Sequence, residues 1–471
     1  MIGHKIYIVI SFIYWLGIPL VFGQNTVGTI INTPEAMEGY TLFTVQNETY
    51  LINNCGEVVH QWVSNYHSGK SVYLLENGNL LRAAEIPNPG KITIPGIGGR
   101  VELFDWDNNL IWECNYSTET ASQNHEVYPM PNGNVLMLAA TVLKKEEAIQ
   151  MGRNPGNFAP NNNHFYNVQI LELQPRGSGN ADVVWEWNAK DHLIQDFDKS
   201  KDNYGNIAEN PQLLDINFLG ISSRGANWLH INSMQYNLAL DQIIMSSRHL
   251  HEIYIIDHST SIAEAAGSTG GRYGKGGDIL YRWGNPMVYK QGTADDQQLF
   301  GPHYPHWIAD GLKDAGKILI FNNGSNRKPE YSEIDIIVPP VTTPGNYVYQ
   351  TNTAYGPVKP DYIYTAPVKT EFFSIFVSSA QRLPNGNMLI CEGSHGRFFE
   401  IDSCERIVWE YVNPVGAKEI LSQGDVPEGL GNIVFRAKKY TTDYTAFANR
   451  DLTPGLPIEK EPNHRQTDIC Y

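Results

Sequence analysis

Apolar residues along this chain come in short runs of strand length. Asn134 to Ala140, Gln242 to Ser247 and Lys317 to Phe321 are clear cases, and stripes with helical spacing are scarce. Turn residues bound the runs, consistent with 42 glycines and 27 prolines in 471 residues. The pattern predicts an all-β protein.

Two cadences recur. Leu75-Glu76-Asn77-Gly78-Asn79-Leu80-Leu81, Met130-Pro131-Asn132-Gly133-Asn134-Val135-Leu136 and Leu383-Pro384-Asn385-Gly386-Asn387-Met388-Leu389 each place Asn-Gly between alternating segments. That is the signature of a tight β-hairpin, because glycine supplies the positive φ the turn needs. The second cadence is an acidic or polar turn followed by an apolar strand closing on Trp, as in Asp105 to Trp112, Asp182 to Trp187, Asp278 to Trp283 and Asp402 to Trp409. Two hairpins per unit make a four-stranded propeller blade. Blades are expected at about residues 40–95, 100–143, 166–247, 252–323, 330–392 and 397–447, giving a six-bladed, single-domain β-propeller over residues 24–450. Two packed β-sandwiches are the alternative. Insertions at 144–163 and 190–225 break the repeat, and on a propeller such loops are placed to roof a central pocket. Residues 451–471 are expected to form a surface tail.

The start of the chain changes the picture. A basic stretch, Met1 to Lys5, precedes an apolar run from Ile6 to Phe22, which predicts a signal peptide over residues 1–23 and export to the periplasm or cell exterior. An uncleaved membrane anchor is the alternative. Later segments are too short to span a bilayer. With 34 Lys plus Arg against 50 Asp plus Glu, the net charge is −16. That argues against nucleic acid or an anionic membrane surface as partner, and an anionic substrate would require a local positive pocket. Five cysteines are too few for a disulfide-built scaffold, although Cys391 and Cys404 are able to pair if their strands are neighbours.

In a propeller the innermost strand of every blade faces the axis, so polar residues recurring at one point of successive blades converge. His125, His230 and His303 each precede a predicted strand, and His395 follows one. His249 and His251 lie two apart on a predicted strand and would point the same way, as a metal pair or a solvated face. His303 and His306 would face opposite sides. Ser68-Gly69-Lys70-Ser71 imitates the end of a phosphate loop, but the leading glycine is missing, and no Gly-x-Ser-x-Gly elbow occurs.

The segments His230-Ile-Asn-Ser, Ile243 to Arg248, Gly301-Pro302-His303, Ile318 to Gly324 with Arg327, and Gly386 to Gly393 resemble the arylsulfate sulfotransferases from about Gly39 to Phe447. The resemblance implies a six-bladed propeller that transfers a sulfuryl group from an aryl sulfate donor to a phenolic acceptor, through a sulfated histidine and without a cofactor. His395 would be the nucleophile, with His230, His303 and Arg327 holding the sulfo oxygens. Arg248 rivals Arg327, and His125 would line the pocket. No metal is implied, although an axial histidine tetrad is also a metal-binding pattern. A non-catalytic binding propeller and an aryl sulfate hydrolase are the competing functions, and the oligomeric state is not readable.

Overall fold

The computed structural model describes residues 25–462 apart from 91 and 222–223; the predicted signal peptide lies outside the described residues. Six sheets form the six blades of a β-propeller. Starting at the axis, the first blade runs Ser68–Leu74, Leu80–Glu85, Gly99–Phe104 and Leu110–Asn115, and the second Ala121–Pro129, Val135–Lys144, His164–Arg176 and Asn180–Asn188. The third is Ile231–Asn237, Gln242–Ser247, Glu252–Asp257 and Tyr281–Trp283; the fourth is His303–Trp307, Ile318–Asn322, Glu333–Ile337 and Tyr362–Tyr364.

The two remaining blades mix the ends of the chain. The fifth contains Ser379–Arg382, Met388–Glu392, Arg397–Ile401 and Ile407–Val412, with Gly28–Asn32 added at its outer edge. The sixth takes its innermost strand, Ala437–Thr441, from the far end of the chain and its others, Gly39–Val45, Glu48–Ile52 and Val58–Val63, from the near end. The number of blades agrees with the repeats, but the predicted boundaries are out of phase. The Asn-Gly-Asn turns join the two inner strands of a blade, whereas the strand that carries the Trp is its fourth from the axis, so both cadences belong to one sheet.

Those tryptophans join neighbouring blades. The Trp62 indole N–H donates to Asp105 O at 2.9 Å, Trp112 to Asn180 O at 2.9 Å and Trp187 to Gly277 O at 2.8 Å. Trp283 donates to Pro357 O at 2.7 Å and Trp409 to Asn54 O at 2.8 Å. At the seam between the fourth and fifth blades, the Tyr362 hydroxyl donates to Glu405 at 2.9 Å. A large apolar ring fills each interface while its one polar atom finds a carbonyl.

The described residues of the insertions do not line the axial cavity. They fold against the second and third blades, burying Phe158, Ile194, Ile207, Leu214 and Ile216 beside Trp187 and Trp228. Apolar side chains, too many to leave in water, hold them there. Residues 451–462 run back over the last blade, where Glu57 bridges Pro457, Ser422 bridges Lys460, and Glu459 is buried. The neighbouring strands of Cys391 and Cys404 do not pair them, because Cys391 is buried within its strand and Cys404 is exposed in the following turn; both are free, while Cys55 is disulfide-bonded. Among the described residues no helix is long and apolar enough to cross a membrane.

Candidate functional site

The innermost strands are regular over most of their length and irregular at one level. Pairing slips at Ser68/Val72 in the first blade, opposite Met137/Ala139 in the second, at Ile231/Ser233 in the third and at His303/His306 in the fourth. At or beside these bulges lie non-glycine residues with positive φ: Lys70 at 114°, His125 at 51°, His230 at 47° and Tyr304 at 50°. Val377 at 54° and Ser378 at 92° continue the series just before the innermost strand of the fifth blade. A bulge re-aims a side chain, and strain of about 1–3 kcal/mol per residue persists only where the surroundings enforce it. Five blades thus turn side chains inward at one height.

They enclose a cavity of about 630 Å³, a volume suited to a small organic molecule. Its polar wall carries Lys70, His125, His230, Arg248, His249 and His303, and its apolar wall Val45, Phe376, Val377, Ile433 and Phe435. Glu85 and His67 lie at its exposed margin. The His125 and His230 ring centres are 5.0 Å apart and those of His230 and His249 4.7 Å. Gly96 closes over His125, where an added Cβ would stand 2.3 Å from Nε2.

Hydrogen bonds assign the proton on each ring. His303 donates from Nδ1 to Asn323 Oδ1 at 2.7 Å, and Asn323 is itself fixed by donating to Ser374 O at 2.7 Å and Val377 O at 3.1 Å. The His303 Nε2 lone pair accepts from the Val377 amide at 3.1 Å. His125 donates from Nδ1 to Asn124 Oδ1 and His249 from Nδ1 to Asn227 O, both at 2.7 Å. His230 differs: its Nδ1 accepts from the Asn227 amide at 2.6 Å, which leaves its proton on Nε2. Burial keeps all four rings neutral, pushing His303 down to about 3 and His249 to about 4, and His125 and His230 well below the usual imidazole range. The charge of Arg248 adds to the effect on each.

Arg248 is one of the two cations of this wall, with Lys70. Its only side-chain hydrogen bond among the described residues is a long one of 3.4 Å to Ile375 O, its Nε is buried without a partner, and no carboxylate pairs with it. Below the histidines, by contrast, Arg436 is neutralised by Glu126 and stacks 3.8 Å from the Tyr304 ring centre.

His125, His230, His303 and Arg248 therefore come together, but Arg327 and His395 do not join them. Arg327 is ion-paired with Glu333 and sandwiched between Phe300 and Tyr331, at 4.8 and 4.3 Å. His395 donates from Nδ1 to Glu392 at 3.1 Å with half of its side chain in solvent, and it is not in the cavity wall. His249 and His251 lie in the turn after Gln242–Ser247, not on a strand, so they diverge: His249 enters the cavity, whereas His251 Nδ1 accepts the Gly301 amide at 2.9 Å. His306 bonds to Tyr304 O and lies outside the wall. Sequence reasoning names His249 and Lys70 but places neither in the cavity. Among the described residues no group of three or more His, Cys, Asp or Glu is placed to hold a metal ion.

The fold and site define a six-bladed propeller whose axial cavity gathers neutral imidazoles around an unpaired guanidinium. The family profile for arylsulfotransferase (ASST) matches residues 29–428, and the chain belongs to that family. No curated protein matches it. Solved structures resemble the chain only at low identity. A protein of unknown function from Bacteroides caccae is 11% identical, covering 86% of this chain and 99% of its own, at a TM-score of 0.44. The periplasmic gluconolactonase of Pseudomonas aeruginosa is 10% identical over 80% of this chain and 96% of its own, at 0.37.

Proposed function

We propose that this protein transfers a sulfuryl group from an aryl sulfate ester to a phenolic acceptor, with His303 as the nucleophile. The observation that carries the assignment is the fixed, neutral His303 ring at the cavity wall, its proton held by Asn323 on Nδ1 and its unprotonated Nε2 accepting only the Val377 amide. The Nε2 lone pair attacks sulfur and the sulfur–oxygen bond to the aryl group breaks, releasing a phenolate. Arg248 and the Nε2–H of His230 face the same cavity and are the donors suited to the sulfo oxygens, where one well-placed donor contributes about 3 kcal/mol. The Val377 amide, which occupies Nε2 in the free protein, is positioned to turn to a sulfo oxygen. In the second half-reaction the acceptor oxygen attacks sulfur, the nitrogen–sulfur bond breaks to restore neutral His303, and the acceptor proton passes to solvent, matching the proton taken up by the phenolate released in the first. The apolar wall, with Phe376 and Phe435, suits the aryl ring. The basic and apolar leader supports action outside the cytoplasm.

The test is incubation with 4-nitrophenyl sulfate, with and without phenol, followed by peptide mass mapping. Acceptor-dependent nitrophenol release and a sulfo group on the peptide containing His303 are expected. Modification at His249 instead would move the nucleophile to a neighbouring ring of the cavity, whose Nε2 has no hydrogen-bond partner among the described residues. Release that does not depend on phenol would mark a hydrolase.

A further inference from the structure

The cavity holds more positive charge than one sulfate ester requires. Lys70 lines it from the innermost strand of the first blade, where it adopts φ 114°, a conformation that side-chain-bearing residues rarely occupy. Gly69 before it is wedged against the second strand, with an added Cβ falling 2.8 Å from the Ala84 amide nitrogen, so the backbone here is fixed by close packing. The Lys70 ammonium makes no hydrogen bond or ion pair among the described residues. Burial holds it below its ordinary value, and Glu85 opposes that only through its field. Glu85 is the one carboxylate of the cavity wall, exposed at the margin and paired with neither cation. In a chain of net charge −16, Lys70 and Arg248 both lie unpaired in one cavity, and the His125 ring feels the charge of both.

Arg248 suffices for a single sulfo group, because its planar fork meets two oxygens. An unpaired, largely buried ammonium held in a strained backbone is costly to maintain unless a ligand completes it. We infer that the preferred donor is an aryl sulfate bearing a second anionic group, a carboxylate or a further sulfate ester, which Lys70 receives. The inference rests on the sulfuryl-transfer reading above. The volume leaves room for a ring with substituents at both ends.

The experiment compares 4-carboxyphenyl sulfate with the sulfate of methyl 4-hydroxybenzoate, which matches it in shape but lacks the second charge. The quantity read is the ratio of their kcat/KM values in the unaltered protein, Lys70→Gly and Lys70→Met. Lys70→Gly suits the positive φ and guards against a folding failure. A preference for the carboxylate that falls about tenfold in both variants is expected, the size of one charge-assisted contact. Lys70→Arg should retain part of the preference. An equal ratio in all proteins would overturn the inference while leaving sulfuryl transfer standing. Absence of turnover with either ester and with 4-nitrophenyl sulfate would overturn both.

Discussion

At the scale of single residues, His303 and Arg248 are distinguished by their partners more than by their identity. His303→Ala should abolish aryl sulfate turnover. Arg248→Ala should lower kcat/KM by about 10² to 10³. His395→Ala should stay within about twofold of the unaltered rate in the same assay. Arg327→Ala, which leaves Glu333 partly buried without its counter-ion, should lower the denaturation midpoint more than the rate. Because burial keeps His303 near 3, kcat/KM should show no imidazole titration near pH 6.5, which a pH–rate profile would reveal. His258 behaves oppositely. Asp241 and Glu172 flank its ring at 2.8 and 3.0 Å, and their hydrogen bonds and charges outweigh burial to raise it to about 9. Its stabilisation of about 3 kcal/mol is complete below pH 6.5 and is lost as pH rises through 9. Urea midpoints should accordingly fall between about pH 6.5 and 9, and His258→Gln should flatten that limb while leaving any Tyr or Lys contribution in place. His395 and Arg327 share their motifs with no cavity contact, because a motif states which residue follows which and not where a loop side chain turns. His249 was hidden for the same reason, inside a turn that reads as strand.

At the scale of strands and seams, the repeat was legible because each blade must solve the same packing problem. The Asn-Gly turns and the terminal tryptophans mark its first and last hairpins, and their indoles reach the next blade. Trp112→Phe should keep most of the apolar contact but leave Asn180 O without its donor, lowering stability by about 1–2 kcal/mol in a denaturant titration. Phase was not legible, since a hairpin looks the same whether it opens a blade or joins two. The bulges were illegible too. They depend on positive φ at Lys70, His125, His230 and Tyr304, where no glycine announces it.

At the scale of the whole molecule, the ring is closed by the last strand, Ala437–Thr441, pairing with Gly39–Val45 near the start, Tyr40 opposite Tyr440 and Phe43 opposite Ala437. The closure is tied by Lys439, whose ammonium meets Glu400 of the fifth blade at 2.9 Å with both side chains fully buried. Glu400 also accepts from the Met37 amide and Asn387, so three distant parts of the chain meet at one carboxylate. Lys439→Met should destabilise the protein by about 3–5 kcal/mol, because it strands that charge in the interior; chemical denaturation would measure it.

The same closure has a consequence for the order in which competence arises. The cavity wall draws on Val45 near the beginning of the folded chain and on Ile433 and Phe435 at its end. The imidazoles of the middle blades cannot be enclosed until the final strand has been threaded home. A nascent or clipped chain should therefore lack the enclosed pocket, and activity, on the proposed reading, would report that the entire ring has been made.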